Sequence, residues 1–306
     1  MTVVAPTQFG QRVRHQTRVG IGSLLHKVGA YRHLLPIFAK QPTQFRKRLL
    51  DYLNHYLDSV PTAEAELMLE PLGARFSCDL NDHMLVHYLR NETPIYELAE
   101  IDYFRSQARP GDRILDVGAN HGFWGISVAR AAGVTARLHL FEANPKIIGR
   151  LQRTLELNPT VSARLHALAI SDGSADQLVF YRPQGNLSGL GSTVLHDYGI
   201  GHGYLNPEDH ISVPARSLDQ LLAVGEFDGM DLVKIDVEQA EDAVIQGACA
   251  ALQRFKPRLL MVETGIQSAA SRQLQALGYR VGRLGNAGLE HEVPDDFWGN
   301  LMFALA

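Results

Sequence analysis

Acidic residues are missing from the first fifty positions of this 306-residue chain, which carry nine basic ones: Arg12, Arg14, Arg18, Lys27, Arg32, Lys40, Arg46, Lys47 and Arg48. The net charge is nevertheless −4, so the remainder is distinctly acidic. An acidic body lacks a phosphate-tracking groove, and the sequence Asn/Asp-Pro-Pro-Tyr is absent, so no nucleic-acid partner is expected. Cysteine is scarce. Cys78 and Cys249 lie far apart and match no disulfide framework, metal or redox spacing, which fits reduced thiols in a cytoplasmic protein. Long hydrophobic runs are missing too. The apolar residues near the start (Val19, Ile21, Leu24, Leu25, Val28, Leu34, Leu35) are interrupted by His26, Lys27, Arg32 and His33. Neither a signal peptide nor a membrane span is therefore expected. Basic residues among apolar ones at helical spacing predict a basic, mainly helical N-terminal extension over residues 1–69. It could touch the inner membrane face peripherally, or pack on the rest of the chain across a homodimer.

What is present is more specific. Arg113-Ile114-Leu115-Asp116-Val117-Gly118-Ala119-Asn120-His121-Gly122 reads as an apolar strand ending in an acid, then a glycine turn opening a helix over Trp124–Ala132. That pattern gathers backbone N–H groups and a carboxylate at the carboxyl end of a strand, where open α/β sheets bind ligands. Glycines 118 and 122 permit the sharp turn. The turn has neither the G-x-G-x-x-G spacing of a dinucleotide loop nor the Gly-Lys-Ser/Thr of a triphosphate loop. It reads as the first loop of an S-adenosylmethionine (SAM) site. Leu138-His139-Leu140-Phe141-Glu142 is the next strand, and Glu142 ends it, placed to accept hydrogen bonds from ribose hydroxyls. Asn144 caps the following helix and Pro145 is its first residue. Glu142 could alternatively serve only the positive end of that helix.

Strands and helices alternate onward. Ile114–Val117, Leu138–Glu142, Arg164–Ala169, Leu232–Asp236 and Leu259–Glu263 are predicted parallel strands, and Leu178–Tyr181 with Ser212–Arg216 an insertion pair. Asp242–Leu252 and Ser268–Leu277 read as helices, and Tyr279–Leu284 with Leu301–Ala306 as a closing antiparallel pair. This is an α/β pattern with a mostly parallel sheet. Upstream, Thr62 is a candidate cap for a short helix through Met68, Ala74–Leu80 alternates as a strand, and His83–Leu89 is a candidate to pair back on it. Glu97–Gln107 reads as a helix.

Several blocks occur in a fixed order: Asp116 to Gly122, Phe141-Glu142-Ala143-Asn144-Pro145, Ala169-Ile170-Ser171-Asp172, Lys234-Ile235-Asp236-Val237-Glu238-Gln239-Ala240-Glu241, Gln246-Gly247-Ala248, Pro257 and Val262-Glu263. Over roughly residues 70–306 the chain resembles the FkbM family of SAM-dependent methyltransferases. The resemblance implies the Rossmann-like class I methyltransferase fold, a seven-stranded mostly parallel sheet. It also implies methyl transfer to hydroxyls of sugars, polyketides and other secondary metabolites, and hence a small-molecule or glycan acceptor. The residues it assigns to the cofactor are Asp116, Gly118, Asn120, His121, Gly122, Glu142, Ala143, Asn144, Ala169, Ser171 and Asp236. Asn186 and Ser192 match polar positions of the family's loop and become substrate contacts, together with His196 of the same insertion. Two departures stand out. Gln239 occupies the glycine of the usual Asp-Val-Glu-Gly-X-Glu, so a side chain fills space near the substrate or alters the turn. His121 replaces an apolar residue.

Methyl transfer from a sulfonium needs an aligned acceptor oxygen, exclusion of water and a destination for the hydroxyl proton. Asp236, Glu238 and Glu263 are the candidate catalytic carboxylates, because clustered acids raise one another's pKa and suit a base. The same oxygens could hold a divalent metal, and the sequence leaves that open. Glu241 reads as a helix-terminal acid, and the spacing of His196, His202 and His210 matches no metal pattern. Two readings from other classes stand against the enzyme: a non-catalytic membrane- or partner-binding protein on a degenerate nucleotide fold, and an NAD-linked oxidoreductase, which the glycine spacing disfavours.

Overall fold

Strand–helix alternation in the sequence becomes one large twisted sheet in the computed structural model, which describes residues 64–79, 82, 85, 88, 94–184, 187–285 and 288–305. The basic segment and its expected helices and membrane or dimer contact fall on residues 1–63, outside the described residues, as does Asn186. Among the described residues no helix is long and apolar enough to cross a membrane.

The chain divides into two compact units, Met1–Pro71 with Arg75–Tyr96, and Leu72–Ala74 with Glu97–Ala306. In the first, β1 (Glu64–Leu69) and β2 (Ala74–Asp79) form a two-stranded sheet. The helix expected through Met68 is therefore a strand over its described part. Its apolar residues recur every second position, and Ala65, Leu67 and Leu69 are buried while their neighbours are exposed. The partner of β2 is thus upstream. Leu85 and Tyr88, in the stretch expected to pair back, are helical.

The second unit opens with α1 (Leu98–Gln107) and continues through β3 (Arg113–Val117), α2 (Phe123–Ala132), β4 (Arg137–Glu142), α3 (Pro145–Leu157) and β5 (Ala163–Ala167). An insertion follows: β6 (Ala169–Ile170), β7 (Gln177–Pro183), α4 (Asp197–Gly201) and β8 (Leu205–Arg216). The chain then runs through α5 (Leu218–Ala223), β9 (Leu232–Ile235), α6 (Glu241–Gln246), α7 (Cys249–Phe255), β10 (Leu259–Gly265), α8 (Ala269–Ala276), β11 (Tyr279–Gly285), β12 (Gly288–Glu290) and β13 (Trp298–Leu305). The main sheet has the order β12-β11-β13-β10-β9-β3-β4-β5. Strands β5, β4, β3, β9 and β10 are mutually parallel, and β13 runs antiparallel between β10 and β11. This is the Rossmann-like α/β architecture, with the short β12 added as an eighth strand at one edge. The strand order reverses between β3 and β9, which opens a crevice at their carboxyl ends.

Burial on both faces explains the strand sequences. Leu232, Val233, Lys234 and Ile235 are all buried in β9, and Leu259 to Val262 all buried in β10. Two predicted elements are split. The strand expected over Arg164–Ala169 breaks at Leu168, and Ala169–Ile170 leave the main sheet to pair with β8 in a three-stranded sheet with β7. The helix expected over Asp242–Leu252 breaks between α6 and α7 at Gly247, whose backbone passes so close to the Ser171 carbonyl that a Cβ would stand 2.1 Å from it. Asn144 caps α3 as expected, its side chain accepting from Lys146 N at 3.1 Å with Pro145 in the first turn.

Gly118 links β3 to the neighbouring strand end. It has φ +79°, and an added Cβ would lie 1.7 Å from the Asp236 carbonyl oxygen. Gly118→Ala should therefore lower stability by about 2 kcal/mol or more, through backbone strain and a displaced β9 end. Gly149, in the interior of exposed helix α3 with nothing within 4 Å of its Cβ position, gives the opposite expectation. Gly149→Ala should add roughly 0.5–1 kcal/mol. Urea unfolding of both variants reads the contrast.

Candidate active site

The crevice is built by loops that leave β3, β4 and β9. After β3 the chain turns through Gly118 and through Asn120, which adopts a left-handed conformation at φ 49°. Gly118 N and Ala119 N both donate to the Phe141 carbonyl at 3.0 Å, which ties the turn to β4. Glu142, at the end of β4, fixes the same turn from the side. Its Oε2 accepts from Asn120 N at 2.8 Å and its Oε1 from Asn144 N at 2.7 Å. Burial pushes its pKa up, while the backbone donors of Asn144 and Asn120 work in the other direction. Glu142 also lines the cleft, and a carboxylate there can accept from a ribose diol.

The cleft spans about 550 Å³ counted out to its open mouth. Apolar side chains of Val117, Phe141, Leu168, Ile170 and Phe180 form walls for a flat base, and Glu142, Asn144 and Asp236 supply polar atoms. These residues fit an adenosyl donor. Of the cofactor residues named from sequence, Gly118, Asn120, Glu142, Ala143, Asn144, Ala169 and Asp236 line this cleft. Asp116, His121, Gly122 and Ser171 are not among its lining residues. Asp116 is fully buried beneath the turn; its Oδ2 accepts from Gly125 N at 3.0 Å, inside the first turn of α2. Burial raises its pKa to about 7 against the opposing pull of Lys234. His121 is buried and stacked on Phe123 with ring centroids 5.2 Å apart. Gly122 caps α2 at φ +77°. Ser171 donates its backbone N–H to the Arg216 carbonyl at 2.9 Å. These four shape the loop and its surroundings.

At one end of the cleft lie the three candidate catalytic carboxylates. Ligand atoms of Asp236, Glu238 and Glu263 all fall within 4.8 Å of one another, and such a trio of oxygens could hold a divalent cation. Behind them stands Lys234, buried in β9. Its Nζ lies 3.0 Å from Asp236 Oδ2 and 3.0 Å from Glu97 Oε2, and Glu97 Oε1 accepts from Asn300 Nδ2 at 3.0 Å. Burial would pull the lysine pKa down, but Asp236, Glu97 and Asp116 outweigh it and hold the ammonium protonated. Asp236 is likewise opposed by burial, yet Lys234 and a hydrogen bond from Glu263 keep its pKa below the usual range. Its neighbours go the other way. Burial, then the charge of Asp236, pushes Glu238 up to about 8 and Glu263 up to about 10. At neutral pH Asp236 is an anion, Glu263 is a protonated donor to it, and Glu238 is poised to titrate.

The insertion closes on this cluster. Ser192 Oγ donates to the Glu238 carbonyl at 2.5 Å and accepts from Val194 N at 2.9 Å. Ser192 thus holds the insertion against the turn that follows Asp236. His196 caps α4: its Nδ1 accepts from Gly199 N at 3.0 Å. The ring proton of the neutral imidazole is therefore on Nε2, which is buried without a partner among the described residues. Neither Ser192 nor His196 is among the lining residues of the cleft. Tyr204 sits 5.9 Å from the His196 ring, and its pKa rises to about 12, chiefly through burial and then the nearby Glu238. Lys234, Glu97 and Tyr204 were not singled out from sequence. A lysine between Val233 and Ile235 in an all-buried strand was a usable signal, because a buried charge requires a partner. Nothing local marked Glu97 as that partner.

Two expectations follow. Lys234→Met leaves Glu97 and Asp236 buried and unpaired, and should cost about 3–5 kcal/mol in urea unfolding. The raised pKa values of Glu238 and Glu263 mean that the folded state holds protons the unfolded chain releases above its ordinary carboxyl pKa, so stability should fall as pH rises from about 5 toward 8. Glu263→Gln should flatten the decline in melting temperature across that range.

Comparison with known proteins agrees with this geometry. Residues 116–281, more than half of the chain, match the family described as the methyltransferase FkbM domain. The 31-O-demethyl-FK506 methyltransferase FkbM of Streptomyces tacrolimicus is 28% identical over 161 residues. That similarity covers 46% of this chain, and the chain spans 61% of that relative's length. Among solved structures, a methyltransferase FkbM from Methylobacillus flagellatus is 15% identical, with 73% of this chain and 55% of that chain covered at a TM-score of 0.40. The O-methyltransferase TomG of Streptomyces achromogenes is 12% identical, with 85% and 99% covered at a TM-score of 0.41. Structural likeness of that degree adds nothing to the assignment, which rests on the extent of the sequence match: this chain belongs to the methyltransferase FkbM domain family.

Proposed function

We propose that the protein is a SAM-dependent O-methyltransferase acting on a hydroxyl of a carbohydrate, glycolipid or secondary metabolite. The observation that carries the reading is the placement of the cleft. A base-sized apolar slot with Glu142 at its polar edge ends against Asp236 and Glu238. When bound, SAM would supply an activated methyl group. The apolar walls and Glu142 would orient the nucleoside, and the turn from Gly118 to Asn120 would accept its amino-acid portion.

Among the carboxylates, Glu238 suits the base. It lines the cleft, and its pKa of about 8 lies near the working pH, where a general base is most effective. Asp236, paired with Lys234 and receiving a hydrogen bond from Glu263, is a weaker base and serves as the fixed anion that keeps Glu238 basic. Glu238 would take the hydroxyl proton as the acceptor oxygen receives the methyl group that SAM would supply, with S-adenosylhomocysteine (SAH) the product left behind. The closeness of the three carboxylates favours one further reading, in which Asp236, Glu238 and Glu263 hold a divalent cation that polarises the acceptor oxygen. Family membership and the 28% identical O-methylating relative support the methyl-transfer reading.

Methyl-labelled SAM offered with a panel of hydroxylated acceptors tests the proposal. Label should appear in an alkali-stable methyl ether. Label confined to nitrogen or to an ester would contradict it. Glu238→Gln should lower transfer by about 100-fold with the demethylated product SAH still bound within a few-fold. Loss of activity with a chelator, restored by magnesium or manganese, would select the cation reading.

A further inference from the structure

Beyond the turn that carries Asp236 and Glu238 lies a second cavity, larger than the cofactor cleft at about 760 Å³ counted out to its mouth. It begins where the first ends: Asp236, Val237 and Glu238 line the first, and Gln239, Glu241 and Asp242 the second. Thr264, the residue after Glu263, also lines it. The turn that follows β9 therefore contributes residues to both the cleft and the cavity, as a two-substrate transfer would need.

Two features of this cavity indicate what it would hold. The first is an aromatic wall. Trp298 is 56% exposed, with no ring stacked on it among the described residues, and it lines the cavity beside Phe297. Opposite Trp298 on the antiparallel ladder is Gly265, where an added Cβ would stand 3.6 Å from indole Cδ1. The glycine leaves room beside the ring. The second feature is the sign of the charge. Glu241, Asp242, Asp295 and Asp296 line the cavity, and among the described residues no lysine, arginine or histidine does. Two of these acids are engaged by backbone donors: Glu241 Oε1 accepts from Val237 N at 2.9 Å, and Asp242 Oδ1 from Ala270 N at 2.7 Å. Asp295 and Asp296 are exposed. Arg283, which lies 5.8 Å from the Phe297 ring and 3.5 Å from Glu290, does not line the cavity. An indole face next to carboxylates attracts a cation and repels an anion.

Gln239 adds a chain-specific element. It stands at φ 74°, a conformation glycine adopts freely, in the position where the family's motif carries glycine. Its exposed side chain lines this cavity and supplies an amide that can both donate and accept.

We propose that this second cavity is the acceptor subsite and takes the amine-bearing ring of a cationic, amino-sugar-like acceptor, with Trp298 under the ring, Asp295 and Asp296 about the ammonium and Gln239 on a neighbouring hydroxyl. The proposal rests on the methyl-transfer reading and narrows its acceptor class. Acceptors bearing a carboxylate or phosphate on that ring are excluded by the same charges.

Glucosamine, glucose and glucuronate are probes of nearly one shape and three charges. With SAH present, their binding to the full-length protein is read by tryptophan fluorescence, for which exposed Trp298 is the responsive ring and buried Trp124 is not. Glucosamine should bind about three- to five-fold more tightly than glucose, with glucuronate weaker than both, as one cation contact at an exposed ring allows. Asp295→Asn with Asp296→Asn should erase that order with glucose binding unchanged, and Gln239→Gly should weaken glucosamine and glucose alike. Both variants lie at the surface and should keep SAH affinity. Equal binding of the three sugars, no binding of any at 100 mM, or an amine preference that survives the double variant overturns the proposal. Failure of the wild type to bind SAH overturns the methyl-transfer reading, and this proposal with it; SAH binding without amine preference overturns this proposal alone.

Discussion

The ammonium of Lys234 is what allows the carboxyl end of this sheet to be acidic at all. Asp116, Glu97, Asp236, Glu238 and Glu263 converge there, Asp116 fully buried and the other four partly so. Unpaired, such carboxylates would simply protonate or push the strands apart. Lys234 binds Glu97 and Asp236 directly and so fixes which acid carries charge. The order of the remaining pKa values follows from that choice. Asp236 stays ionised, and burial together with its charge raises Glu263 to about 10, where it keeps its proton, and Glu238 to about 8, where it can give the proton up. One lysine thereby converts a costly cluster into a graded set of an anion, a base and an acid, and part of the fold's stability is spent in maintaining it.

Much of this was legible in the sequence because the signals were local. An acid at the end of an apolar strand, followed by a glycine turn and a capped helix, located Glu142, Asn144 and the first loop; the motif order brought in Asp236, Glu238 and Glu263. What was not legible depended on contacts between distant segments. The partner of Lys234 is Glu97, at the start of a helix far earlier in the chain. Gly247 breaks a helix because Ser171 passes against it, and Ala169–Ile170 leave one sheet for another because β8 offers a free edge there. The stretch through Met68 reads as helical from the capping residue Thr62, whereas over its described part, from Glu64, alternating burial decides in favour of a strand paired with β2. Asp116 shows a subtler difference. Its position in the motif suggested ligand contact, and in the fold its carboxylate serves the amide of Gly125, beneath the loop rather than in the cleft.

The insertion between β6 and β8 connects these parts. Ser192 fastens it to the turn that bears Glu238, and Tyr204 brings an apolar, poorly ionisable ring close to the same carboxylate. The turn from Asp236 to Asp242 is consequently held from three directions, by Lys234, by Ser192 and by the hydrogen bond that Glu241 accepts from Val237. Such restraint suits a step in which an oxygen, a methyl group and a sulfur must lie in line, because small losses of alignment carry large penalties in rate. It also explains how Gln239 can occupy a backbone conformation that favours glycine: the residues on either side leave the chain no other course.

The central claim is that the cleft beside Glu142 holds the nucleoside of the methyl donor. Isothermal calorimetry with SAH on the wild type and on Glu142→Gln tests it most directly. The account predicts saturable one-to-one binding to the wild type, weakened by about 1–3 kcal/mol in the variant, with melting curves alike enough to show an intact fold. Absence of SAH binding to the wild type, or equal affinity in both proteins, would contradict it.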